Sequence, residues 1–341
     1  GKAVRDALFL EALPVTELPK MVIFAAVLSV LAVPVYSRLL AWLGPRRLVP
    51  LGFAVSAIAH VAEWIWFGAG AVIPIVVYIH IAAFGALLLS GFWSLTSELF
   101  DPHSARAQFV RIASAGSLGG IVGGLTLERV GAWASADASL LMLAGLHAVC
   151  AVGLWPMCES LREQGQAPPP EPLFGRQMLR TSPQVKEIAL LVVLGTASAA
   201  IVDYLLKSRA ATEYSGGHLL QFFAIFYTVV QVATFLFQAV LAGPLQRRLG
   251  VGRSVTMLPI GLGVSTVASL LFPTTAVFAM ARGTESVLRG SVFRNGYELL
   301  FSAMSPQEKR RVKTFLDVAC DRAGDALGAG IVQLLLLTGP M

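Results

Sequence analysis

The chain has 341 residues, of which 56% are apolar and only 13% are charged, against roughly 45–50% and about 25% in an ordinary soluble domain. A soluble fold of this length must cover its surface with polar groups, so the composition excludes a typical soluble enzyme and makes lipid the solvent for most of the chain. The net charge of +6 does not indicate nucleic-acid binding, because the basic residues lie in short clusters between apolar runs.

The apolar runs have the length of transmembrane helices, which need about 20 apolar residues to cross a bilayer. The opening stretch from Arg5 to Leu10 is typical of the end of a helix, and ten longer runs follow it. We therefore expect an all-α membrane protein with a truncated first helix and ten complete spans. In chain order the predicted spans are 20–43, 49–68, 71–98, 107–128, 137–157, 187–206, 218–246, 251–271, 274–301 and 312–338.

The longest polar interval divides the spans evenly. It covers 158–186 and contains a run of three prolines, 168–170. We predict an N-terminal half (1–157), a linker (158–186) and a C-terminal half (187–341). The truncated helix brings the first half to six helices, and symmetry predicts six in the second, the last of them missing from this sequence. Two such halves are typical of a secondary transporter of the major-facilitator type.

Lys and Arg concentrate in alternate loops, which indicates orientation because these residues favour the cytoplasmic side. The linker is therefore predicted to be cytoplasmic, in what we expect to be a bacterial inner membrane. Six arginines of these loops are expected to anchor helix ends at that face: Arg46, Arg47, Arg106, Arg247, Arg248 and Arg253.

The same glycine, proline and arginine residues recur in the two halves at a nearly constant sequence separation, which predicts a duplicated six-helix unit. Glycines within the matched helices are interpreted as packing positions, because small residues let helices approach closely in lipid. The matches are Leu43, Gly44 and Arg47 with Leu249, Gly250 and Arg253, and Pro102, Arg106, Gly120 and Gly124 with Pro306, Arg310, Gly324 and Gly328.

Ionisable residues inside the spans are candidates for function. Each costs about 2.5–3.5 kcal/mol at the bilayer centre on insertion scales, so each should face the bundle interior and have a partner. On the last two spans they recur every three or four residues, on shared helix faces. We predict a network between these two helices that either braces and gates the bundle or contacts substrate or protons. The candidates are Arg5, Asp6, Arg282, Glu285, Arg289, Arg294, Glu298, Asp317, Asp321, Arg322 and Asp325.

Other polar residues of the spans receive structural interpretations. Asp203 and Lys207, one turn apart, are interpreted as an ion pair at the membrane interface, and Glu63, which stands beside Trp64 and near Trp66, as interfacial. For His80 and His147 a hydrogen-bonded packing role is favoured over a proton relay. No second His or Cys stands at ligand spacing from them, so we assign no metal and no cofactor. The sequence has no phosphate-binding loop or nucleophile motif, so we expect no enzyme.

Several stretches resemble known transporter families. The segment 36–47 resembles the cytoplasmic signature loop of the major facilitator superfamily, in which glycine makes the turn and a basic pair anchors the helix ends. Three others resemble the ATP/ADP translocase (nucleotide transporter) family, and more specifically its broad bacterial branch, whose membrane domain is often followed by soluble regulatory modules. These are Arg5–Leu10, Phe92-Trp93 with 105–109, and Tyr297–Leu300 with 313–325.

The resemblance implies alternating-access transport of a polar or anionic, nucleotide-like solute, with lipid and a small molecule as partners. This sequence differs from the nucleotide-exchanging members of the family at three positions. Leu8 and Asp325 stand where those members have lysine, and Ile81 stands where they have glutamate. Because phosphates bind cations, these departures argue against ATP/ADP exchange more than against transport. Two alternatives stay open: a transport-inactive sensor or scaffold coupled to a regulatory domain outside this sequence, and a transporter of a lipid, peptide or drug-like substrate.

Overall fold

The computed structural model describes residues 1–70, 72–99, 102–160, 183–300 and 315–338, and within these ranges every regular element is a helix. The opening stretch forms the short helix α1 (Lys2–Ala12), and each predicted span falls on a helix. The rest of the first half consists of α2 (Leu18–Leu43), α3 (Pro45–Ile65), α4 (Val72–Ile79, continued by a π-helical turn, His80–Phe84, and by Gly85–Leu99), α5 (Pro102–Trp133) and α6 (Ala138–Ser160).

The second half repeats this arrangement as far as its fifth helix. Gly250 in α9 is non-helical, with φ 75° and ψ 173°, so the residues before it continue α8 and those after it begin a new span. The helices are α7 (Pro183–Glu213), α8 (Gly216–Leu236, with a π turn, Phe237–Ala242), α9 (Gly243–Leu271), α10 (Thr275–Leu288, a π turn, Arg289–Phe293, and Arg294–Leu300) and α11 (a π turn, Phe315–Cys320, and Asp321–Thr338).

The outer surface of the bundle is apolar. Large side chains such as Ile58, Val152, Val264 and Leu270 are exposed on helix surfaces, where a soluble protein would place polar groups. In the described part of the chain, seven helices are long and apolar enough to cross a membrane: α2, α3, α4, α6, α7, α8 and α9. Helices α10 and α11 are less apolar because each carries several ionisable residues. The chain is an all-α integral membrane protein.

The two halves share a hydrophobic core at one end of the bundle, which we call the joined end. This is the end where α1 connects to α2, α5 to α6, and α7 to α8. Its buried residues come from α1, α2, α4, α5 and α6 and also from α7 and α8; Phe9, Leu127, Leu220 and Phe223 are examples. The joined end is therefore closed by apolar contacts between the halves.

The opposite end, which we call the basic end, carries the turns at Gly44 and Gly250. Among the described residues, each core cluster at this end belongs to one half. Val49, Leu95 and Leu154 pack together in the first half, and α7, α9, α10 and α11 supply a separate cluster in the second. Of these clusters, the one at the joined end is thus the only one that contains residues of both halves.

Two helix pairs connect the halves and support the predicted repeat. Helix α2 packs against α11, and α5 packs against α8. Exchanging the halves converts one pair into the other, as a duplicated unit requires. The matched turns also agree, since Gly44 has φ 72° and Gly250 has φ 75°, a region that essentially only glycine occupies at their extended ψ.

Close helix contacts explain two of the matched glycines. A Cβ on Gly124 of α5 would lie 1.9 Å from the Thr228 hydroxyl oxygen of α8. A Cβ on Gly328 of α11 would lie 2.4 Å from the carbonyl oxygen of Ala197 on α7. These glycines are packing positions, as expected.

Part of the predicted basic face can be located. Arg46 is half-buried, and Arg47, Arg248 and Arg253 are exposed near the two glycine turns. The side chains of Arg106 and Arg247, and most of the linker 158–186, lie outside the described residues. The division into halves and a linker stays a prediction.

Candidate functional site

Seven ionisable side chains form a chain of alternating charge through the interior of the bundle. We call it the ionic ladder. Its members lie on α1, α7 and α10, so it includes residues of both halves. In order they are Arg5, Asp6, Lys207, Asp203, Arg282, Glu285 and Arg289.

The first part of the ladder joins α1 to α7. The Arg5 guanidinium lies 2.8 Å from Asp6 Oδ1 and its centre lies 4.9 Å from the ring centroid of Tyr78. Lys207 Nζ lies 3.1 Å from Asp6 Oδ1 and 2.5 Å from Asp203 Oδ2. Lys207 therefore bridges one carboxylate of each half.

The second part of the ladder joins α7 to α10. Arg282 donates through Nε to Asp203 Oδ1 at 2.9 Å and also pairs with Glu285. Glu285 pairs in turn with Arg289, whose Nη2 donates to the backbone carbonyl of Gly195 on α7 at 2.7 Å. The buried carboxylate of Glu285 thus pairs with two guanidinium groups.

Asp6 is the point at which the two halves meet in this network. Besides Arg5 and Lys207, it accepts a hydrogen bond of 2.8 Å from the Tyr227 hydroxyl of α8. Two of its partners therefore belong to the second half. The Asp6 side chain has no exposed surface, so it depends on these partners to compensate its desolvation.

The ladder runs from the joined core towards the middle of the bundle. Asp6 lies six residues before the end of α1 and Arg289 lies 14 residues after the start of α10. At 1.5 Å per residue, these positions are about 9 Å and about 21 Å from the joined end. In a hydrocarbon layer of roughly 30 Å that begins at the joined end, the two positions would lie on opposite sides of the midplane.

The ladder has an excess of positive charge, and its last member is the most exposed. It has four basic and three acidic members. Glu285 is fully buried, whereas 30% of the Arg289 side chain is exposed. The most accessible member is therefore a guanidinium group deep in the bundle.

The described α11 candidates contact both α7 and α10. Asp321 accepts a hydrogen bond of 2.9 Å from Thr196 of α7, and Arg322 pairs with Asp325 on its own helix at 3.0 Å. Asp317 accepts a hydrogen bond from Tyr297 of α10. Among the described ion pairs, the partner helix of α10 is α7, and the network predicted between α10 and α11 stays a prediction.

Two further candidates of α10 were Arg294 and Glu298. Arg294 follows the π turn and is exposed. The Glu298 side chain lies outside the described residues.

Two sites that were interpreted as interfacial are buried inside the bundle. Asp203 and Lys207 form the predicted pair, and Lys207 is 1% exposed. Glu63 is also buried, two residues before the end of α3. It contacts His60, three residues earlier on the same helix, and His80 of α4, and the sequence analysis connected it with neither. His60, Lys207, Asp203 and Tyr227 are the polar residues whose importance the sequence analysis missed.

The positions that correspond to the family's nucleotide-binding residues carry no cation here. Leu8 is buried in the joined core, and Ile81 packs against that core. Asp325 pairs with Arg322.

The comparisons with known proteins agree with this architecture. No family model matches the chain. The chain is similar to the ADP,ATP carrier protein 2, chloroplastic, of Arabidopsis thaliana, with 23% identity over 88% of this chain and 53% of that protein. It thus spans about half the length of this curated relative. A solved structure of a bacterial homologue of the iron transporter ferroportin, in an inward-facing state, matches with a TM-score of 0.68 and 16% identity, covering 97% of this chain and 85% of that chain.

The chain has the major-facilitator fold. The structural similarity to the solved structure and the all-helical architecture of the described residues both support this fold. A carrier protein and a transporter homologue are not enzymes, which agrees with the expectation for this chain. The similarity supports a relationship to transporters and does not single out the ATP/ADP translocases.

Proposed function

We propose that the protein is a secondary transporter that moves an anionic solute by alternating access. The observation that carries this proposal is the different packing of the two ends of the bundle. The halves share a core at the joined end, whereas the clusters that the described residues form at the basic end are separate. In the opposite state, the halves would separate at the joined end and close at the basic end.

The ionic ladder is suited to such a movement because its charges remain paired when the halves separate. Opening the joined end breaks the contacts of Asp6 with Lys207 and Tyr227. Asp6 then keeps Arg5, and Lys207 keeps Asp203. Breaking a buried ion pair costs about 3–5 kcal/mol when it leaves a charge without a partner. The retained pairs avoid most of that cost.

The charge of the ladder favours an anionic solute. Arg289 is its most accessible member and lies beyond the midplane, on the side of the basic end. Guanidinium groups bind carboxylates and phosphates through paired hydrogen bonds. A nucleotide-like solute is a specific form of this proposal, and the name of the Arabidopsis carrier supports it. The basic residues of the ladder would then bind the phosphates in place of the two lysines that Leu8 and Asp325 replace.

The orientation completes the proposal. The basic residues at the glycine turns favour a cytoplasmic location for the basic end and for the linker 158–186. The arrangement described here would then receive solute from the cytoplasmic side of a bacterial inner membrane.

Transport can be tested with purified protein in liposomes. We expect counterflow of radiolabelled ATP or ADP, or of inorganic phosphate, to depend on solute trapped inside the liposomes. Arg289→Gln should lower the flux by removing the accessible cation, and Asp321→Asn tests whether the contact with Thr196 contributes.

A matched control is Arg129→Gln, which removes an arginine of α5 whose side chain is 67% exposed and pairs with its neighbour Glu128. Its flux should equal that of the unaltered protein. Equal flux in Arg289→Gln and in the unaltered protein would exclude Arg289 from solute binding. No flux for any of these anions would reject the proposed solute class.

A further inference from the structure

A second polar cluster lies inside the first half, apart from the ionic ladder. Glu63 of α3 accepts hydrogen bonds of 2.7 Å from Nδ1 of His60 on the same helix and from Nδ1 of His80 on α4. Ser56 Oγ lies 2.8 Å from His80 Nε2 and 2.7 Å from Nδ1 of His147 on α6. About two turns of α3, from Ser56 to Glu63, thus bring together three imidazoles and a carboxylate from three helices.

The cluster is buried and has an unusual charge balance. His60 is 1% and Glu63 is 5% exposed. Within the described ranges, the only ion-pair partners of Glu63 are the two imidazoles, and no Lys or Arg contacts it. A buried carboxylate is costly unless a cation or several donors compensate it. A bound cation would supply that compensation directly.

The arrangement also provides space and suitable donor atoms. Ligand atoms of His60, Glu63 and His80 all lie within 4.8 Å of one another. A cavity of about 60 Å³ is lined by the polar residues Ser56, His60, His80 and His147 and by Gly1, Ile81, Gly85 and Leu143, whereas one water molecule needs roughly 10–15 Å³. An ion with a bound water therefore fits without repacking of the helices.

The geometry requires a small adjustment to accept a metal. Zinc binds nitrogen at about 2.0–2.1 Å and carboxylate oxygen at about 2.0–2.2 Å in a tetrahedral site, which places these donors about 3.4 Å apart. The present Nδ1 to oxygen distances of 2.7 Å at His60 and His80 would widen by about 0.7 Å, which side-chain rotation can supply.

The backbone at His80 adds an independent indication. His80 begins the π turn of α4, and Arg289 begins the π turn of α10. Helices α4 and α10 are equivalent in the two halves. Single π turns occur frequently at functional sites, and here each equivalent turn begins at a polar residue of a buried cluster.

We propose that His60, Glu63 and His80 form a binding site for one divalent transition-metal ion, with water as the fourth ligand. Two imidazoles and a carboxylate are a donor set for Zn²⁺ and for other first-row ions such as Fe²⁺ or Co²⁺. Ser56 is a positioning residue: its hydroxyl contacts His80 and His147 and orients them without contacting the ion. A bound ion would tie α3 to α4 directly, and α6 would be held through Ser56 and His147, without any contact at the joint between the halves.

The test uses the full chain without an affinity tag, in detergent or nanodiscs. We expect one Zn²⁺ per chain by equilibrium dialysis and metal analysis. Co²⁺ should give the intense visible absorption of a four-coordinate ion with nitrogen and oxygen ligands. This spectrum is measured on the unaltered protein, so it does not depend on the folding of any variant.

Variants separate ligands from the positioning residue. Ser56→Ala should weaken Zn²⁺ binding by about 10- to 100-fold, as loss of a second-layer partner does, and His60→Gln and His80→Gln should weaken it more. The matched control is His218→Gln, which removes an exposed histidine of α8 and should bind Zn²⁺ normally.

Three results would overturn the proposal. They are the absence of saturable binding at one ion per chain, a Co²⁺ spectrum of six-coordinate ions only, and equal affinity in the ligand and control variants. Because these readouts measure metal binding and not flux, failure of the transport proposal would leave this one standing.

Discussion

The Tyr227 hydroxyl is a contact between the halves that can be removed almost without other change. Tyr227→Phe keeps the ring, which packs against Phe223 and Phe226, and removes only the hydrogen bond to Asp6. A hydrogen bond to a charged group contributes about 1.5–3 kcal/mol. Because this bond exists only while the joined end is closed, its loss should lower the ratio of closed to open molecules by roughly 10- to 150-fold.

The ratio can be measured by the distance between two spin labels at the joined end. Trp133 at the end of α5 and Phe272 after α9 are exposed and belong to different halves. Labels on Trp133→Cys and Phe272→Cys, in a background without the three native cysteines, should report a short distance in the closed state. Tyr227→Phe should increase the population with a longer distance.

A matched substitution shows whether the effect belongs to this hydroxyl. Tyr214→Phe makes the same chemical change at an exposed tyrosine, whose ring stacks on Phe222, and should leave the distance distribution unchanged. An unchanged distribution in Tyr227→Phe, with labels that report both states, would refute the assignment of Asp6 as the junction between the halves.

Two further predictions concern glycines and use unfolding free energy as the measurement. Gly328→Ala should lower stability by about 1–3 kcal/mol, because the new Cβ would lie 2.4 Å from a backbone oxygen, whereas Gly330→Ala meets open space and should have little effect. Gly250→Ala should cost about 1–3 kcal/mol in backbone strain at φ 75°, whereas Gly252→Ala, two residues on, has neither a positive φ nor a close neighbour. Equal stability within either pair would contradict the corresponding argument.

The fold could be predicted from the sequence because lipid imposes a simple length rule on apolar segments. The ten predicted spans and the stub all correspond to helices. The repeat was predictable for a similar reason: Gly44 and Gly250 occupy a backbone conformation that other residues avoid. The length of an apolar run and a glycine at a turn are both local features of the sequence, so they can be recognised without knowledge of tertiary contacts.

The ladder was only partly predictable because its members are distant in sequence. Arg282, Glu285 and Arg289 share a helix face through their spacing, and that part of the prediction agrees with their contacts. Their partner Asp203 lies on α7, and charge complementarity alone had favoured α11. The π turn at 315–320 also separates Asp317 from Asp321, so a pattern read with the ordinary helical period misplaced them.

Glu63 shows how sequence neighbours mislead inside a helix. Trp64 and Trp66 are exposed, as interfacial residues are, whereas Glu63 is buried. Successive residues of an α-helix point about 100° apart, so the environment of one says little about the next. The imidazoles that surround Glu63 come mostly from other helices, and only the packing of α3, α4 and α6 brings them together.

The shared core at the joined end also has a thermal consequence. Separating the halves there would transfer apolar side chains such as Phe9, Leu220 and Phe223 from the core to water. Exposure of apolar surface raises heat capacity, and the driving force for its burial weakens on cooling. The balance between the two states of the bundle should therefore depend on temperature, and cold should favour the open joined end when closure of the basic end buries less apolar surface than this opening exposes.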